Sequence, residues 1–371
     1  MRIHYSSALL LLCLLFGFTA AAQLTNESML IGSTNRTYKQ YLPVGFDPQN
    51  EQVSLVVIMH GLGGSNTEMA NAGFNLVADT ARIIAIFPQG LNNAFGQPAW
   101  NNGTLLASTV DDIGFMNAIV DSMILNYNVN PSQVYFTGIS MGSIMSYHLA
   151  CAMNDRIAAI GCMSGTMSTS DINSCVPTYV TPVIHFHGTT DDVVPYDSNP
   201  LPSLSLVPET MAFWKNAHNC GMTADSLRLP DTAADGITVD RFRYDDCAPA
   251  ASLELWRLNN GMHTYFYEPL NDITEMIEIW LFFRRWAHPS PATAGLEYHA
   301  LKEPKIAPNP SNGLITVSSE QAFDYVIRDL NGTAIVSGRM EAGSETLDIS
   351  TAANGMYLLQ TAGKSYKVIK N

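Results

Sequence analysis

The chain has 371 residues, 47% of them hydrophobic, and a formal net charge of −14. That length supplies a well-buried core and exceeds one compact domain of usual size, so two folded units plus processing segments are expected. From Lys302 onward basic and acidic residues balance, so the whole acidic excess lies upstream; an acidic surface repels polyanions and sets nucleic acid aside as a ligand, whether or not it does more than keep the protein soluble.

At the N-terminus, Arg2 gives a positive start, Ala8 to Phe18 an apolar run, and Ala20-Ala21-Ala22 before Gln23 a small-residue cleavage site. Residues 1–22 therefore read as a secretory signal peptide. The run is shorter than the roughly 20 residues that span a bilayer, and no other segment is long and apolar enough, so no transmembrane segment is expected. Export makes disulfides relevant. Cys13 leaves with the signal, and Cys151, Cys162, Cys175, Cys220 and Cys247 remain, an odd number. Cys220 and Cys247 bracket a polar, turn-rich stretch and are the preferred pair, worth roughly 3 kcal/mol on the chain-entropy model. Pairing among Cys151, Cys162 and Cys175 stays open, although Cys162 sits in an apolar run and reads as a buried small hydrophobe.

Short β-branched runs alternate with amphipathic stretches up to about residue 290, the pattern of parallel strands joined by crossover helices. Strands are expected at Val53 to Met59, Ile83 to Phe87, Val134 to Thr137, Ala158 to Met163, Val183 to His187 and Leu253 to Leu258. Helices are expected at Asn71 to Ala81, Asp111 to Tyr127, Gly142 to Met153, Glu209 to His218 and Asn271 to Trp286. Asp111 and Asp112 read as a helix start, where acid favours the dipole.

Gly138 to Gly142 spell G-I-S-M-G, directly after the run V-Y-F-T and before a helix-like stretch. Such a string arises by chance in on the order of one chain in ten of this length. Its context is what makes Ser140 a candidate nucleophile, because the chemistry needs a sharp strand-to-helix turn flanked by residues without side chains. A serine hydroxyl needs a histidine base oriented by a carboxylate. Asp191 follows the strand P-V-I-H-F on the loop H-G-T-T-D-D, and His263 follows the strand L-E-L-W-R-L on the loop N-N-G-M-H-T. Asp191 is preferred over Asp192, read as a solvated or turn residue. His263 is preferred over the other histidines because it alone combines a late position, a loop after a strand and a following helix.

The oxyanion of the intermediate needs backbone donors. These are assigned to Met141, after the nucleophile, and to Leu62 in the turn M-H-G-L-G-G-S that starts at Met59. Substrate contacts are assigned to Trp100 and His60, with loop packing the alternative for each. The segment from Tyr196 to Pro208 either walls the pocket or is a surface connection. His185 and His187 share a strand face, but no third ligand is evident, so no metal is expected, and no organic cofactor is implied.

Pro289, Pro291 and Gly295 break the pattern, after which short strands and turns predict a small β-sandwich of about 65 residues. The expected organisation is signal 1–22, catalytic domain 23–288, linker 289–303 and sandwich 304–371. This tail resembles the C-terminal sorting domain of the type IX secretion system of Bacteroidota, through I-A-P-N-P-S-N-G-L-I-T-V at Ile306, D-L-N-G-T at Asp329, G-M-Y-L-L-Q at Gly355 and the terminal K-V-I-K-N. The resemblance implies the type IX machinery as a partner and an extracellular or cell-surface location. An ordinary accessory or carbohydrate-binding sandwich is the alternative.

The stretch from about Arg36 to Trp286 resembles secreted polyhydroxybutyrate depolymerase-like enzymes and the feruloyl and acetylxylan esterases of carbohydrate esterase family 1. The residues are H-G-L-G-G at His60, F-P-Q-G-L at Phe87, A-W-N-N-G at Ala99, V-D-D-I-G-F at Val110, G-I-S-M-G at Gly138, H-G-T-T-D-D-V-V-P-Y at His187 and the cysteine-bracketed segment ending in G-M-H. The resemblance implies an α/β-hydrolase with a mostly parallel sheet flanked by helices, nucleophile Ser140, acid Asp191, base His263 and oxyanion donor Leu62. Ser143 departs from the third glycine of many members, and G-M-H-T-Y departs from the usual Trp-Pro ending, which puts acyl specificity in doubt. The expected activity is hydrolysis of carboxylic esters, feruloyl or acetyl groups of plant polysaccharide or a polyhydroxyalkanoate, so the substrate partner is a polymeric ester. A serine peptidase of prolyl oligopeptidase type shares the triad order but needs an N-terminal propeller, for which about 30 residues are too few. A non-catalytic binding protein on this scaffold would have lost a triad member, and none is missing.

Overall fold

The computed structural model describes residues 23–221, 223–247, 251–292, 304–319, 323–329, 333–361 and 364–371. The expected signal segment and most of the expected linker lie outside the described residues. The first unit holds strands β1 (Gln23–Ile31), β2 (Thr34–Leu42), β3 (Val53–Met59), β4 (Ile83–Pro88), β5 (Leu91–Asn92), β6 (Pro98–Ala99), β7 (Val129–Ile139), β8 (Ala159–Met163), β9 (Val183–Gly188), β10 (Asp225–Arg228), β11 (Thr238–Tyr244) and β12 (Leu253–Asn259). Its helices are α1 (Asn66–Asn71), α2 (Phe74–Ala81), α3 (Asp112–Tyr127), α4 (Met141–Ala152), α5 (Thr169–Ser174), α6 (Val207–Ala217) and α7 (Glu275–Phe283).

All these strands except the short pair β5 and β6 form one sheet in the order β1-β2-β4-β3-β7-β8-β9-β12-β11-β10. The central run β4-β3-β7-β8-β9-β12 is parallel throughout. Every residue of β3, β4, β8 and β9 is buried, as strands covered on both faces must be. Alternate side chains of β3 feed two separate cores. Leu55, Val57 and Met59 join α3, α4 and α6 through Phe115, Met145 and Trp214, while Val56 and Ile58 join α1, α2 and α7 through Met69, Phe74 and Ile279. The result is a mostly parallel sheet with helices on both faces.

Three differences from expectation have physical causes. The helix expected from Asn71 starts instead at Phe74, after a separate α1 that ends at Asn71, because Gly73 takes φ +96° between the two. Antiparallel hairpins extend both edges, β1 and β2 beside β4 and β10 and β11 beside β12. The second lies inside the cysteine-bracketed stretch read as turns, since an edge strand such as β10, exposed at every position, has no apolar signature. Asp111 does cap α3, accepting from the Gly114 N–H at 2.7 Å. Asp112, however, is buried, bound to Arg36 of β2 at 2.6 Å and to the Asn101 N–H at 2.6 Å, so it ties the edge hairpin to the loop after β6.

The second unit holds β13 (Lys305–Ala307), β14 (Leu314–Ser319), β15 (Phe323–Asp329), β16 (Ala334–Met340), β17 (Gly343–Asp348), β18 (Gly355–Thr361) and β19 (Lys364–Lys370). They form a three-stranded sheet β13-β14-β17 and a four-stranded sheet β16-β15-β18-β19. Ile315, Val317 and Leu347 of one sheet pack against Ile327, Leu359 and Val368 of the other, which makes the all-β sandwich.

Candidate active site

β4 lies on one side of β3 and β7, reached after β4, on the other, so the loops after β3 and β7 face each other where the strand order reverses. Ser140 sits in that cleft between β7 and α4 with φ 54° and ψ −119°. A non-glycine residue there is strained by roughly 1–3 kcal/mol. The turn is enforced by its neighbours: the Ser140 N–H donates to Met163 O at 2.8 Å, and a Cβ on Gly142 would fall 2.2 Å from Met59 O. Glycines at 138 and 142 are thus needed because β3 passes against the turn. Ser143, which stands where many members of the resembled group carry a third glycine, fits by donating its hydroxyl to Gly165 O at 2.7 Å.

The turn after β3 lies directly on the serine. A Cβ on Gly61 would be 3.3 Å from Ser140 Cβ and 3.8 Å from its Oγ, which brings the Gly61-Leu62 backbone beside the hydroxyl. Gly63 takes φ +73° and donates to Pro98 O at 2.8 Å, fixing the turn. Met141 is the first residue of α4, so its N–H has no intrahelical acceptor.

His60 and Trp100 do not reach substrate, contrary to the expectation. Both are fully buried. The Trp100 indole N–H donates to His60 O at 2.8 Å, and the two rings lie 4.7 Å apart. His60 Nε2 accepts the Gly90 N–H at 2.9 Å, so the proton sits on Nδ1 and is donated to Gly61 O at 2.7 Å. Burial pushes the His60 pKa down, which keeps the ring neutral. Together the two side chains brace the turn that flanks Ser140.

Asp191 lies on the loop after β9 and His263 on the loop after β12. Asp191 Oδ2 and His263 Nδ1 are 2.7 Å apart. Oδ1 of Asp191 accepts the N–H groups of Val193 at 2.9 Å and Val194 at 2.7 Å. Burial raises the Asp191 pKa, but hydrogen bonds from His187, His263 and Val194 outweigh it and hold the carboxyl well below the usual range. Asp192 points outward and is exposed. Among the described residues no hydrogen bond joins Ser140 Oγ to His263 directly; Ser164, the residue after β8, donates its hydroxyl to Thr264 O on the His263 loop at 3.1 Å. The segment after Asp191 packs inward through Leu204, which meets Val194 and Ile144 of α4.

Cys220 pairs with Cys247 as expected, and Cys151 pairs with Cys175. Cys162 is the buried thiol, pushed up to about 12 by burial. His185 and His187 face each other across 3.1 Å, and among the described residues no group of three metal-ligating side chains forms.

Residues 45–202 match the family described as phospholipase/carboxylesterase, and residues 305–371 match the secretion system C-terminal sorting domain. Among curated relatives, the bifunctional acetylxylan esterase/xylanase of Neocallimastix patriciarum is 24% identical over 68% of this chain and 34% of its own length. Feruloyl esterase B of Piromyces equi is 26% identical over 60% of this chain and 41% of its own. The poly(3-hydroxybutyrate) depolymerase of Ralstonia pickettii is 31% identical over 31% of this chain and 26% of its own. The chain thus spans less than half the length of these relatives. Residues 45–202 are thus similar to the phospholipase/carboxylesterase family, and residues 305–371 to the secretion system C-terminal sorting domains.

Proposed function

We propose that this chain hydrolyses carboxylic esters through an acyl-serine intermediate. The observation that carries the reading is the 2.7 Å hydrogen bond between Asp191 and His263, on the same sheet edge as the strained Ser140 turn. His263 takes the proton of Ser140 as the hydroxyl attacks the ester carbonyl, and returns it to the leaving alcohol. Asp191 holds the imidazole with its proton on Nδ1 and stabilises the imidazolium. The Leu62 and Met141 N–H groups receive the oxyanion. Water then repeats the sequence against the acyl-enzyme and frees the acid. The contact between Ser140 and His263 closes in the substrate complex, as it commonly does in such enzymes.

The substrate class we favour is an acetyl or feruloyl ester on plant polysaccharide, in keeping with the names of the acetylxylan and feruloyl esterase relatives. The proposed route outward is the signal segment 1–22 across the inner membrane and the sorting domain with type IX machinery across the outer one, giving an extracellular or cell-surface enzyme. Purified protein is expected to hydrolyse short p-nitrophenyl esters and Ser140→Ala is not; equal rates overturn the mechanism. Release of ferulate from methyl ferulate or acetate from acetylated xylan supports the substrate class, and turnover of polyhydroxybutyrate film alone replaces it with a polyester.

A further inference from the structure

Behind Asp191, away from His263, runs a line of buried ionisable side chains that the proposed chemistry does not use. Tyr147 of α4 reaches His185 Nδ1 at 2.8 Å. His185 Nε2 reaches His187 Nδ1 at 3.1 Å. His187 Nε2 lies 2.8 Å from Val194 O and 3.3 Å from Asp191 Oδ2. All three side chains are fully buried.

The proton positions along this line follow from its far end. Val194 O and the Asp191 carboxylate can only accept, so His187 Nε2 carries a proton. A neutral ring then offers Nδ1 as an acceptor, so His185 must donate from Nε2. Its Nδ1 is left to accept the Tyr147 hydroxyl. Every hydrogen bond points one way, toward Asp191, and no position holds two protons or none. Burial drives the His185 pKa well down, reinforced by His187, which agrees with a neutral His185 ring.

We infer that His187 is a positioning residue for Asp191, donating from Nε2 to its Oδ2 and to Val194 O in a tautomer fixed by Tyr147 and His185. The inference rests on the proposed roles of Asp191 and His263. With His187 in place the carboxylate is surrounded by four donors: His263 and the N–H groups of Val193 and Val194 in hydrogen bonds, and His187 Nε2 at 3.3 Å. That set fixes the plane of the carboxylate, and hence the direction in which His263 is held. It also shares out the negative charge that His263 would otherwise feel alone. The other titratable groups around the line are Cys162 beside His185 on β8, Tyr196 edge-on to His187 at 5.9 Å, and Arg257 and Asp240 beyond Tyr196.

The test compares His187→Gln, whose amide nitrogen reaches the Nε2 position, with His187→Asn, whose amide reaches only the Nδ1 position, and with His187→Phe. The full chain is assayed with p-nitrophenyl acetate from about pH 5 to 9. Loss of the donor leaves Asp191 with more charge facing His263, so the imidazolium is favoured and the acid limb of kcat/KM moves to higher pH. His187→Asn and His187→Phe are expected to lose about 10- to 100-fold in kcat with KM within about twofold, and His187→Gln to recover to within about fivefold with the limb restored. Variants without the donor that match wild type in kcat and acid limb overturn the inference. So does His187→Gln as impaired as His187→Asn with no movement of the limb, which marks a packing role. If His187→Phe does not fold, the Gln and Asn pair decides. Labelling of Ser140 by a fluorophosphonate separates the two readings: failure of the ester-hydrolase reading abolishes wild-type labelling, whereas failure of this inference leaves it intact.

Discussion

Gly188 and Gly261 meet backbone to backbone: a Cβ on Gly188 would fall 2.2 Å from Gly261 O. The loops after β9 and β12 are further tied by the Thr190 N–H and hydroxyl, which donate to Gly261 O at 3.0 and 2.8 Å. Asp191 and His263 are therefore set by one shared backbone contact and not by two independent loops.

Gly188→Ala should force these loops apart. Sub-ångström misplacement of a base costs on the order of tenfold or more in rate, so kcat should fall by at least about that factor. Steady-state kinetics beside a thermal melt checks it, and wild-type kcat in a folded variant contradicts the loop-locking argument.

Asp191 and Asp192 are neighbours in sequence with opposite surroundings, one buried between donors and the other in solvent. If the proposed roles hold, Asp191→Asn should lower kcat by up to about 10⁴-fold by favouring the wrong His263 tautomer, the effect of that change in Ser-His-Asp triads. Asp192→Asn should leave the rate within about twofold, because the side chain is exposed and among the described residues has no hydrogen bond or ion pair to lose. Comparable losses from both would remove the distinction.

The parallel strands and the candidate site were legible in the sequence for one reason: buried central strands and strand-to-helix turns leave unbroken apolar runs and glycines that a single chain displays. Ile83–Pro88 and Val183–Gly188 are continuous apolar or uncharged runs of this kind. The edges were not legible, since β10 is exposed at every position and β1 touches the core only through half-buried residues such as Met29 and Ile31. For Trp100 and His60 the choice between substrate contact and loop packing turned on depth, which a sequence does not give; burial of both favours the packing alternative. The pairing of Cys151 with Cys175 depends on α4 and α5 meeting in space, which spacing does not encode.

Trp100→Phe should act on stability and loop order while leaving substrate affinity alone. It removes the indole donor from His60 O and costs about 1–3 kcal/mol by leaving that buried carbonyl unpaired. A lower melting temperature with KM within about twofold is the expected result. A large KM increase with unchanged stability would return Trp100 to the substrate surface.

The thiol inventory gives an independent check on the fold. In mature protein lacking residues 1–22, a maleimide should label nothing in the native state, because Cys162 is buried and its thiol is pushed up to about 12. Denaturation without reductant should release Cys162 alone. Labelling of Cys151 or Cys175 under those conditions would refute their disulfide.

Glu275, the first residue of α7, is buried beneath the loop that carries His263, where its Oε2 accepts the Phe266 N–H at 3.1 Å. Burial drives its pKa well above the usual range, the single hydrogen bond from Phe266 opposing this only in part. A carboxyl with a raised folded-state pKa favours the fold fully below its unfolded value and loses that contribution as pH climbs toward the folded one. The unfolded chain releases the proton from about pH 4.5, whereas the native chain must keep it or bury a charge. Glu275→Gln keeps an acceptor for Phe266 and has no proton to lose. The melting temperatures of wild type and variant should therefore coincide near pH 4 and diverge as pH rises, with the variant the more stable at neutral pH. A difference that is constant across pH, or that shrinks as pH rises, would mean that Glu275 is ionised in the native protein.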